Sequence, residues 1–278
     1  MIREICERIG FPQEAISYLE TQMPRTDTGT FDAIFQQYLN STPEVYFASL
    51  QAEADRLQLP VVTVNLLFLL RFFPELHRRY IDAGISEEVF WATAEDFRYK
   101  LQECRKIYGV WGNAAVKWYR KFFDVNLIKL GRLQYHVIPW AQENFGNIKT
   151  GDTVFNLHIP SAGPLKIEEV EASFETAKTF FRQRSVLNTD YFPLVCHSWL
   201  LYPPHRTLFP EGSNLRKFHD LFTIVKTNES NVDFERVFYR PDNGNYNDLP
   251  QDTQLQRNFA AFLQNGGKMG QAWGVIIR

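Results

Sequence analysis

The chain has 278 residues and a formal net charge of −2, with a sequence pI of about 6.3. It carries no basic block and no apolar run of the roughly 20 residues that span a bilayer, so neither nucleic acid nor a membrane is expected as a partner. Its three cysteines, Cys6, Cys104 and Cys196, are far apart and lack metal-ligand spacing. This pattern predicts a cytoplasmic protein without a disulfide framework or a metal site, and the mixed charges of residues 1–8 predict no signal peptide.

In the first part of the chain, apolar side chains recur every three or four residues, which indicates amphipathic helices. Pro43 is placed as a first helical residue, with Thr42 as a candidate cap. Residues 61–73 form the most apolar run and predict a buried helix. One long helix is predicted from a cap at Ser86 to residue 108, because acidic residues follow that serine and apolar ones recur at helical spacing.

After residue 124 the apolar residues alternate as in β-strands, with helical stretches between them. The predicted strands are 126–138, 152–159, 194–201, 222–226, 234–239 and 272–277; the predicted helices are 165–184, a short one from residue 213, and 251–264. Gly131 is expected to form a bulge in the first strand. The sequence therefore predicts an α+β protein, with an all-helical N-terminal domain (residues 1–124) and a mixed β-sheet with flanking helices (residues 125–278).

Residues 154–165 run from an apolar strand through a Pro/Ser/Gly turn into a helix. Backbone N–H groups at a helix N-terminus lack partners and carry partial positive charge, so this junction is a candidate site for the phosphate of a cofactor. A strand-to-helix turn without any ligand gives the same pattern, and this alternative stays open. The two prolines of the turn have no N–H, which leaves Ser161, Ala162 and Gly163 as possible donors.

Strand alternation places Asn156 and His158 on one face of the sheet. His158 is the first candidate for a general base, because an imidazole titrates near neutral pH. The alternative is a histidine hydrogen-bonded inside the sheet. Asn156 is a candidate substrate contact.

Three further candidates lie on or after the next apolar strand. Cys196 and Ser198 share a face of it, and Tyr202 follows its end. Cys196 is a candidate substrate contact or a nucleophile partnered by His158 or His197, against the alternative of a buried, inert thiol. Ser198 is a candidate catalytic residue, and Tyr202 could protonate a leaving thiolate, although it could also be an ordinary half-buried tyrosine.

Four stretches, LGRLQ (130–134), NLHIP (156–160), CHSWLL (196–201) and residues 208–218, resemble a family of bacterial GNAT-like acyltransferases. Members join a helical N-terminal domain to a GNAT-like C-terminal domain, and the resemblance spans the whole chain. It implies direct transfer of an acyl group from a coenzyme A thioester to an amine acceptor, without a metal. It also implies that the pyrophosphate of coenzyme A rests on the helix after the central strand, at Ile159, Ser161, Ala162 and Gly163.

The turn itself departs from the superfamily pattern Gln/Arg-x-x-Gly-x-Gly/Ala. Pro-Ser-Ala-Gly-Pro lacks both the leading basic or amide residue and the second glycine. A second hypothesis is therefore a non-catalytic binding or interaction module that has lost the cofactor turn. The intact strand–turn–helix and the Asn156/His158 pair favour the enzyme, so acyl-CoA-dependent N-acyl transfer is the predicted function.

Overall fold

A computed structural model of the protein describes residues 2–278, which form two compact units. The first unit ends at Ile128 and the second is Lys129–Arg278. The domain boundary at residue 124 stays a prediction. None of the helices in the described residues is both long and apolar enough to cross a membrane.

The first unit is helical, as predicted. Its α-helices are α1 (Ile2–Arg8), α2 (Gln13–Gln22), α3 (Thr28–Asn40), α4 (Pro43–Leu57), α5 (Val61–Arg71), α6 (Phe73–Asp82), α7 (Glu87–Ala94), α8 (Asp96–Tyr108) and α9 (Arg120–Phe123). Helix α5 is the buried core helix expected from its composition, since residues 63–70 are all buried. Pro43 is the first residue of α4, as expected, but Thr42 makes no side-chain cap.

The prediction of a single helix over residues 86–108 is wrong, because the helix is interrupted between α7 and α8. Ser86 does cap α7, accepting a hydrogen bond from the Val89 N–H. At Glu95 the helix ends, and the next residue, Asp96, is buried. The indole N–H of Trp118 donates to the Asp96 carboxylate at 3.2 Å. The break thus brings a buried carboxylate to the half-buried Trp118 indole, a contact between distant residues that helical periodicity does not reveal.

The second unit is a six-stranded sheet with helices packed on it, which confirms the α+β class. The strands are β1 (Leu127–Leu130), β2 (Leu133–Pro139), β3 (Thr153–His158), β4 (Pro193–Ser198), β5 (Thr223–Glu229) and β6 (Gly270–Ile277), and their order is β1-β2-β3-β4-β6-β5. The helices are α10 (Ile167–Gln183), α11 (Asn214–His219), α12 (Phe234–Phe238) and α13 (Gln254–Gln264). The sheet is mixed, because β3 and β4 are parallel while β2–β3, β4–β6 and β5–β6 are antiparallel.

Three predicted strands differ from the observed ones. Residues 126–138 form a hairpin of β1 and β2 rather than one bulged strand, because Gly131 has a φ of +69° and turns the chain. Residues 234–239 are not a strand: Phe234, Val237 and Phe238 are buried at the three- and four-residue spacing of helix α12. The third predicted strand ends at Ser198 and continues as a 3₁₀ segment, Trp199–Leu201.

Helix α10 covers the face of the sheet that carries Tyr135 and Phe155. The rings of both residues lie close to Phe181 of the helix, at 6.0 and 4.6 Å between ring centroids. The apolar stripe predicted for this helix is buried: Val170, Phe174, Ala177 and Phe181. The helix begins at Ile167, so residues 159–166 form the connection between β3 and α10.

Candidate functional site

The sheet opens between the C-terminal ends of β3 and β4. These parallel strands pair only at Phe155–Leu194 and Asn156–Val195. Beyond this point β3 still pairs with β2 as far as His158, and β4 still pairs with β6 as far as Ser198. The two strands therefore diverge while each stays anchored on its outer side, and the opening between them lies beside the connection to α10.

A group of polar side chains occupies the sheet face opposite α10 at the end where the strands diverge. The register places Gln134 and His136 of β2 beside His158 and Asn156 of β3, and His197 of β4 points to the same face. The imidazole centroids of His136 and His158 are 5.8 Å apart. The predicted pair of Asn156 and His158 is thus part of a larger polar surface on one face of the sheet.

Asn156 is the most buried member of this group on β3, with 7% of its surface exposed. Its amide nitrogen lies 3.4 Å from Nε2 of His158, at the long end of the hydrogen-bond range. Its Oδ1 is buried and has no hydrogen-bond partner. An unsatisfied buried acceptor costs stability, so Asn156 meets the expectation for a ligand contact better than that for a core residue.

His197 is a member of the group that the sequence suggested only as a partner for the Cys196 thiol. Its ring stacks on Trp273 of β6, with 4.7 Å between centroids and 13° between planes. Burial lowers the pKa of this imidazole below its ordinary value, so the neutral form is favoured. Alternation along the strand sends His197 to the face opposite Cys196 and Ser198, so its ring cannot serve that thiol.

Cys196 and Ser198 lie on the α10 side of the sheet, opposite His158. Burial raises the pKa of the Cys196 thiol to about 12. The geometry therefore does not bring this thiol together with His158 or His197 as a nucleophile and its base. The Ser198 hydroxyl accepts a hydrogen bond from the Leu200 N–H at 3.2 Å and caps the 3₁₀ segment.

Tyr202 does not follow β4 directly, because the 3₁₀ segment Trp199–Leu201 lies between them. Its ring lies 4.9 Å from the His205 ring between centroids. It also contacts Gly270 so closely that a Cβ at that position would come within 2.6 Å of the tyrosine ring. Tyr202 is therefore held beside the first residue of β6, and its proposed role as a proton donor stays a prediction.

The connection between β3 and α10 is held by a residue that sequence reasoning missed. Arg132, only 8% exposed, donates hydrogen bonds to the carbonyl oxygens of Pro160 at 3.0 Å, Gly163 at 2.9 Å and Pro164 at 3.2 Å. We call residues 159–166 the β3–α10 loop. Its shape is determined in large part by one guanidinium that lies about 30 positions earlier in the sequence.

The direction of these carbonyls determines which N–H groups of the loop point outward. In a trans peptide the C=O of one residue and the N–H of the next point in opposite directions. The carbonyls of Pro160 and Pro164 face Arg132, so the N–H groups of Ser161 and Leu165 face away from it. The Ala162 N–H donates to the Pro160 carbonyl at 2.7 Å. Ala162 is thus a poor candidate donor to a ligand. The Leu165 N–H is a further candidate donor that the sequence did not indicate. The roles of Ile159, Ser161 and Gly163 stay predictions.

The start of α10 offers further donors but carries mixed charge. No side chain caps the helix at Lys166, and its first turn contains Glu168 and Glu169. Lys166 Nζ pairs with the Glu169 carboxylate at 2.9 Å. Both glutamates are exposed, so water screens their repulsion of an anion, and the buried positive charge of Arg132 lies on the other side of the loop. Gly163 adds open space, since a Cβ there would meet nothing within 4 Å. These residues fit a phosphate-bearing ligand.

Two cavities lie away from this opening. One of about 650 Å³ lies between the 3₁₀ segment Pro203–Leu208 and α13, and one of about 220 Å³ lies at the N-terminal ends of β3 and β4. Neither is lined by His158 or by the β3–α10 loop. The strand opening is a better candidate site than either cavity, because it combines polar side chains with outward-facing backbone donors.

A mixed sheet that opens between two parallel strands beside a strand–loop–helix junction defines a GNAT-like fold. Sequence profiles agree: the N-acyltransferase N-terminal domain matches residues 1–125, and the GNAT-like C-terminal domain matches residues 127–276. The chain belongs to this family, in which the two domains cover almost all of its length.

Solved structures support the same fold. An acyltransferase in complex with decanoyl-CoA and teicoplanin is similar, with a TM-score of 0.79 and 20% identity, over 99% of this chain and 87% of that one. A mutant acyltransferase in complex with octanoyl-CoA has a TM-score of 0.78 at 20% identity, over 99% and 86%. An acyltransferase in complex with decanoyl-CoA has a TM-score of 0.67 at 18% identity, over 99% and 98%. No curated protein matches the chain.

Proposed function

We propose that this protein is an N-acyltransferase that moves an acyl group from an acyl-CoA thioester directly to an amine acceptor, with residues 125–278 as the acyltransferase domain. The divergence of β3 and β4 beside the β3–α10 loop is the observation that carries the proposal. Membership of the family and the acyl-CoA ligands of the similar solved structures support it. The free, buried state of all three cysteines supports a cytoplasmic location.

The β3–α10 loop is the proposed binding site for the pyrophosphate of coenzyme A. Ser161 and Leu165 would donate outward-facing N–H groups, and the first turn of α10 would add its own. Gly163 keeps this side of the loop open, because it carries no side chain. Since backbone groups supply the donors, the missing Gln/Arg-x-x-Gly-x-Gly/Ala pattern does not by itself exclude binding.

His158 is the proposed general base. The amine nitrogen would attack the thioester carbonyl carbon, a C–N bond would form and the C–S bond would break, and His158 would take the proton that the amine releases. The Asn156 contact with Nε2 is long at 3.4 Å, so an incoming N–H group can replace it. The unsatisfied Oδ1 of Asn156 would accept a hydrogen bond from the substrate.

The departing thiolate would need a proton, and Tyr202 is the proposed donor. Ser198 belongs to the same end of β4, where its hydroxyl caps the 3₁₀ segment that leads to Tyr202. We therefore propose that Ser198 supports the position of Tyr202. Cys196, on the α10 side of the diverging strand, is proposed as an apolar wall of the acyl-CoA site and not as a nucleophile.

Thermal melting against coenzyme A, acetyl-CoA, octanoyl-CoA and decanoyl-CoA tests the proposal. A ligand at one hundred times its Kd stabilises the fold by about 2.7 kcal/mol, which raises the Tm by several degrees. The same compounds are then mixed with a panel of amines, and release of free thiol is followed. Binding without thiol release would favour the non-catalytic module, and the absence of any shift would contradict both the cofactor and the site.

A further inference from the structure

We infer that Arg132 is a positioning residue for the cofactor: its guanidinium holds the β3–α10 loop in the shape that turns the Ser161 and Leu165 N–H groups toward the pyrophosphate. This inference rests on the proposed function. Arg132 touches three carbonyls of the loop, on the side away from the outward N–H groups, so it acts on the ligand through the loop and not by direct contact.

The three hydrogen bonds use different nitrogens of one planar group. Nε donates to Pro164, Nη1 to Pro160 and Nη2 to Gly163. A guanidinium fixes these three donor directions in one plane, whereas a lysine ammonium is a single point on a flexible stem. Arginine therefore couples both ends of the loop turn, from residue 160 to residue 164, into one rigid unit.

The hairpin between β1 and β2 places Arg132 at this position. Gly131 turns the chain with a φ of +69°, and its Cα lies so near α10 that a Cβ would be 3.3 Å from Ser173. The Ser173 hydroxyl accepts a hydrogen bond from the Leu133 N–H at 3.2 Å and donates one to the Leu130 carbonyl. Both residues that flank the turn thus form hydrogen bonds with α10. Arg132 lies in this anchored turn, and its side chain reaches the loop that precedes the same helix.

The loop has few other means of holding this shape. Its two prolines cannot donate, and within residues 159–166 the Ala162 N–H bond to Pro160 is the one backbone-to-backbone hydrogen bond that the structure records. No side chain caps α10 at Lys166. The orientation of the outward N–H groups therefore depends on Arg132 more than on local turn chemistry.

The test compares Arg132→Gln and Arg132→Lys with the wild-type protein. Coenzyme A binding is measured by calorimetry, and acyl transfer by kcat and by the KM values for acyl-CoA and for the amine. We expect Arg132→Gln to raise the Kd for coenzyme A and the KM for acyl-CoA by about tenfold or more, with kcat at saturation and the amine KM changed by less than about threefold. Arg132→Lys should restore part of the loss, because it keeps the charge but not the fork.

Arg257→Gln is the matched control. Arg257 also donates to two backbone carbonyls that precede a helix, those of Gln251 and Asp252 before α13, at 2.8 and 3.3 Å. Its loss should leave the Kd for coenzyme A unchanged. Hydrogen exchange of residues 159–166 in the cofactor-free protein gives a second measurement, which should show faster exchange in Arg132→Gln and not in Arg257→Gln.

The outcomes separate this inference from the proposed function. A wild-type protein that does not bind coenzyme A would overturn the proposed function, and the exchange experiment would still report whether Arg132 orders the loop. A wild-type protein that binds, with Arg132→Gln binding equally well, would overturn only the role of Arg132. A fall in folded fraction that accounts for the whole loss of activity, in both Arg132 variants, would assign Arg132 a purely structural role.

Discussion

Among single side chains, His158 carries the sharpest prediction about chemistry. His158→Ala should lower acyl transfer by about 100-fold or more, because a general base contributes a factor of about 10² to 10⁴. The Tm should change little, since the imidazole is only partly buried. The measurement is kcat/KM for the amine beside a thermal melt of the same sample.

His136→Ala is the control for His158. The His136 ring lies on the same face, 5.8 Å from the His158 ring between centroids. A larger loss of activity in His136→Ala than in His158→Ala would assign the base to His136 instead. Equal losses of activity and of folded protein in His158→Ala would remove it from the mechanism.

His205 predicts a pH dependence of stability that has nothing to do with the site. Its side chain is fully buried, Nδ1 lies 2.8 Å from the Trp199 carbonyl, and burial lowers its pKa to about 4. The unfolded chain, with a pKa near 6.5, binds the proton more readily than the folded one. The histidine therefore stabilises the fold above about pH 6.5, and this contribution, about 3 kcal/mol, is lost as the pH falls to about 4.

His205→Phe tests this linkage, because it keeps a ring beside Phe259 and Tyr202 and removes the titration. The free energy of unfolding is measured in urea between pH 7 and pH 4. The variant should lose less stability than the wild-type protein across that range. A wild-type slope in His205→Phe would contradict the buried neutral histidine.

Alternation along β3 is enough to predict that Asn156 and His158 share one face, because the side-chain period of a strand is two. The same rule places His197 of β4 on the face opposite Cys196 and Ser198. It could not find Arg132, whose partners lie about 30 residues later in the chain. Long-range contacts from a side chain to backbone carbonyls leave no local pattern, so the residue that orders the candidate cofactor loop is visible only in three dimensions.

At the scale of secondary-structure elements, Ser173 joins the β1–β2 hairpin to α10. Its hydroxyl, buried at 1% exposure, donates to the Leu130 carbonyl, accepts from the Leu133 N–H at 3.2 Å and lies 2.9 Å from the Tyr135 hydroxyl. Ser173→Ala leaves these groups without the partner they share and should destabilise the protein by about 2 kcal/mol or more.

Thr176→Ala on the same helix is the matched control, since its hydroxyl donates only to the Ala172 carbonyl on the exposed side. It should change the free energy of unfolding by less than about 0.5 kcal/mol. Urea denaturation measures both variants. A Ser173→Ala variant as stable as Thr176→Ala would mean that packing alone docks the hairpin on α10.

The elements that periodicity predicted correctly were the long ones with a clear apolar stripe, such as α5, α10 and α13. The errors fell at interruptions inside long patterns, as at Glu95 and Gly131, and where a short segment carries too few residues to define a period. The sequence pattern of residues 234–239 is compatible with a strand and with a short helix. The structure has a helix there, with Phe234, Val237 and Phe238 buried on one face. The divergence of β3 and β4 was equally hidden, because strand pairing depends on register between distant segments.

At the scale of the whole molecule, the chain matches the solved acyltransferases over 99% of its length at only 18–21% identity. A fold of this kind tolerates wide sequence change as long as each element keeps its apolar face. The candidate cofactor turn illustrates this latitude, since Pro-Ser-Ala-Gly-Pro replaces the superfamily pattern and Arg132 holds the loop from another element. The fold and the family were therefore predictable from pattern, whereas the way this chain builds its loop was not.

Labelling of the three thiols tests how far the stabilisation by bound coenzyme A extends over the two units. Cys6 and Cys104 lie in the helical unit and Cys196 in the sheet unit, all are buried, and burial raises each pKa to about 12. Iodoacetamide should therefore modify each thiol only when the surrounding structure opens, at a rate that mass spectrometry follows site by site. Coenzyme A at one hundred times its Kd should slow the labelling of Cys196 by about 100-fold, because opening of the sheet unit must release the ligand.

Labelling of Cys6 and Cys104 reports whether the helical unit shares that stabilisation. Equal slowing of all three thiols would mean that the two units open together. Unchanged labelling of Cys196 in the presence of bound coenzyme A would contradict a cofactor site between β3 and β4, next to this cysteine.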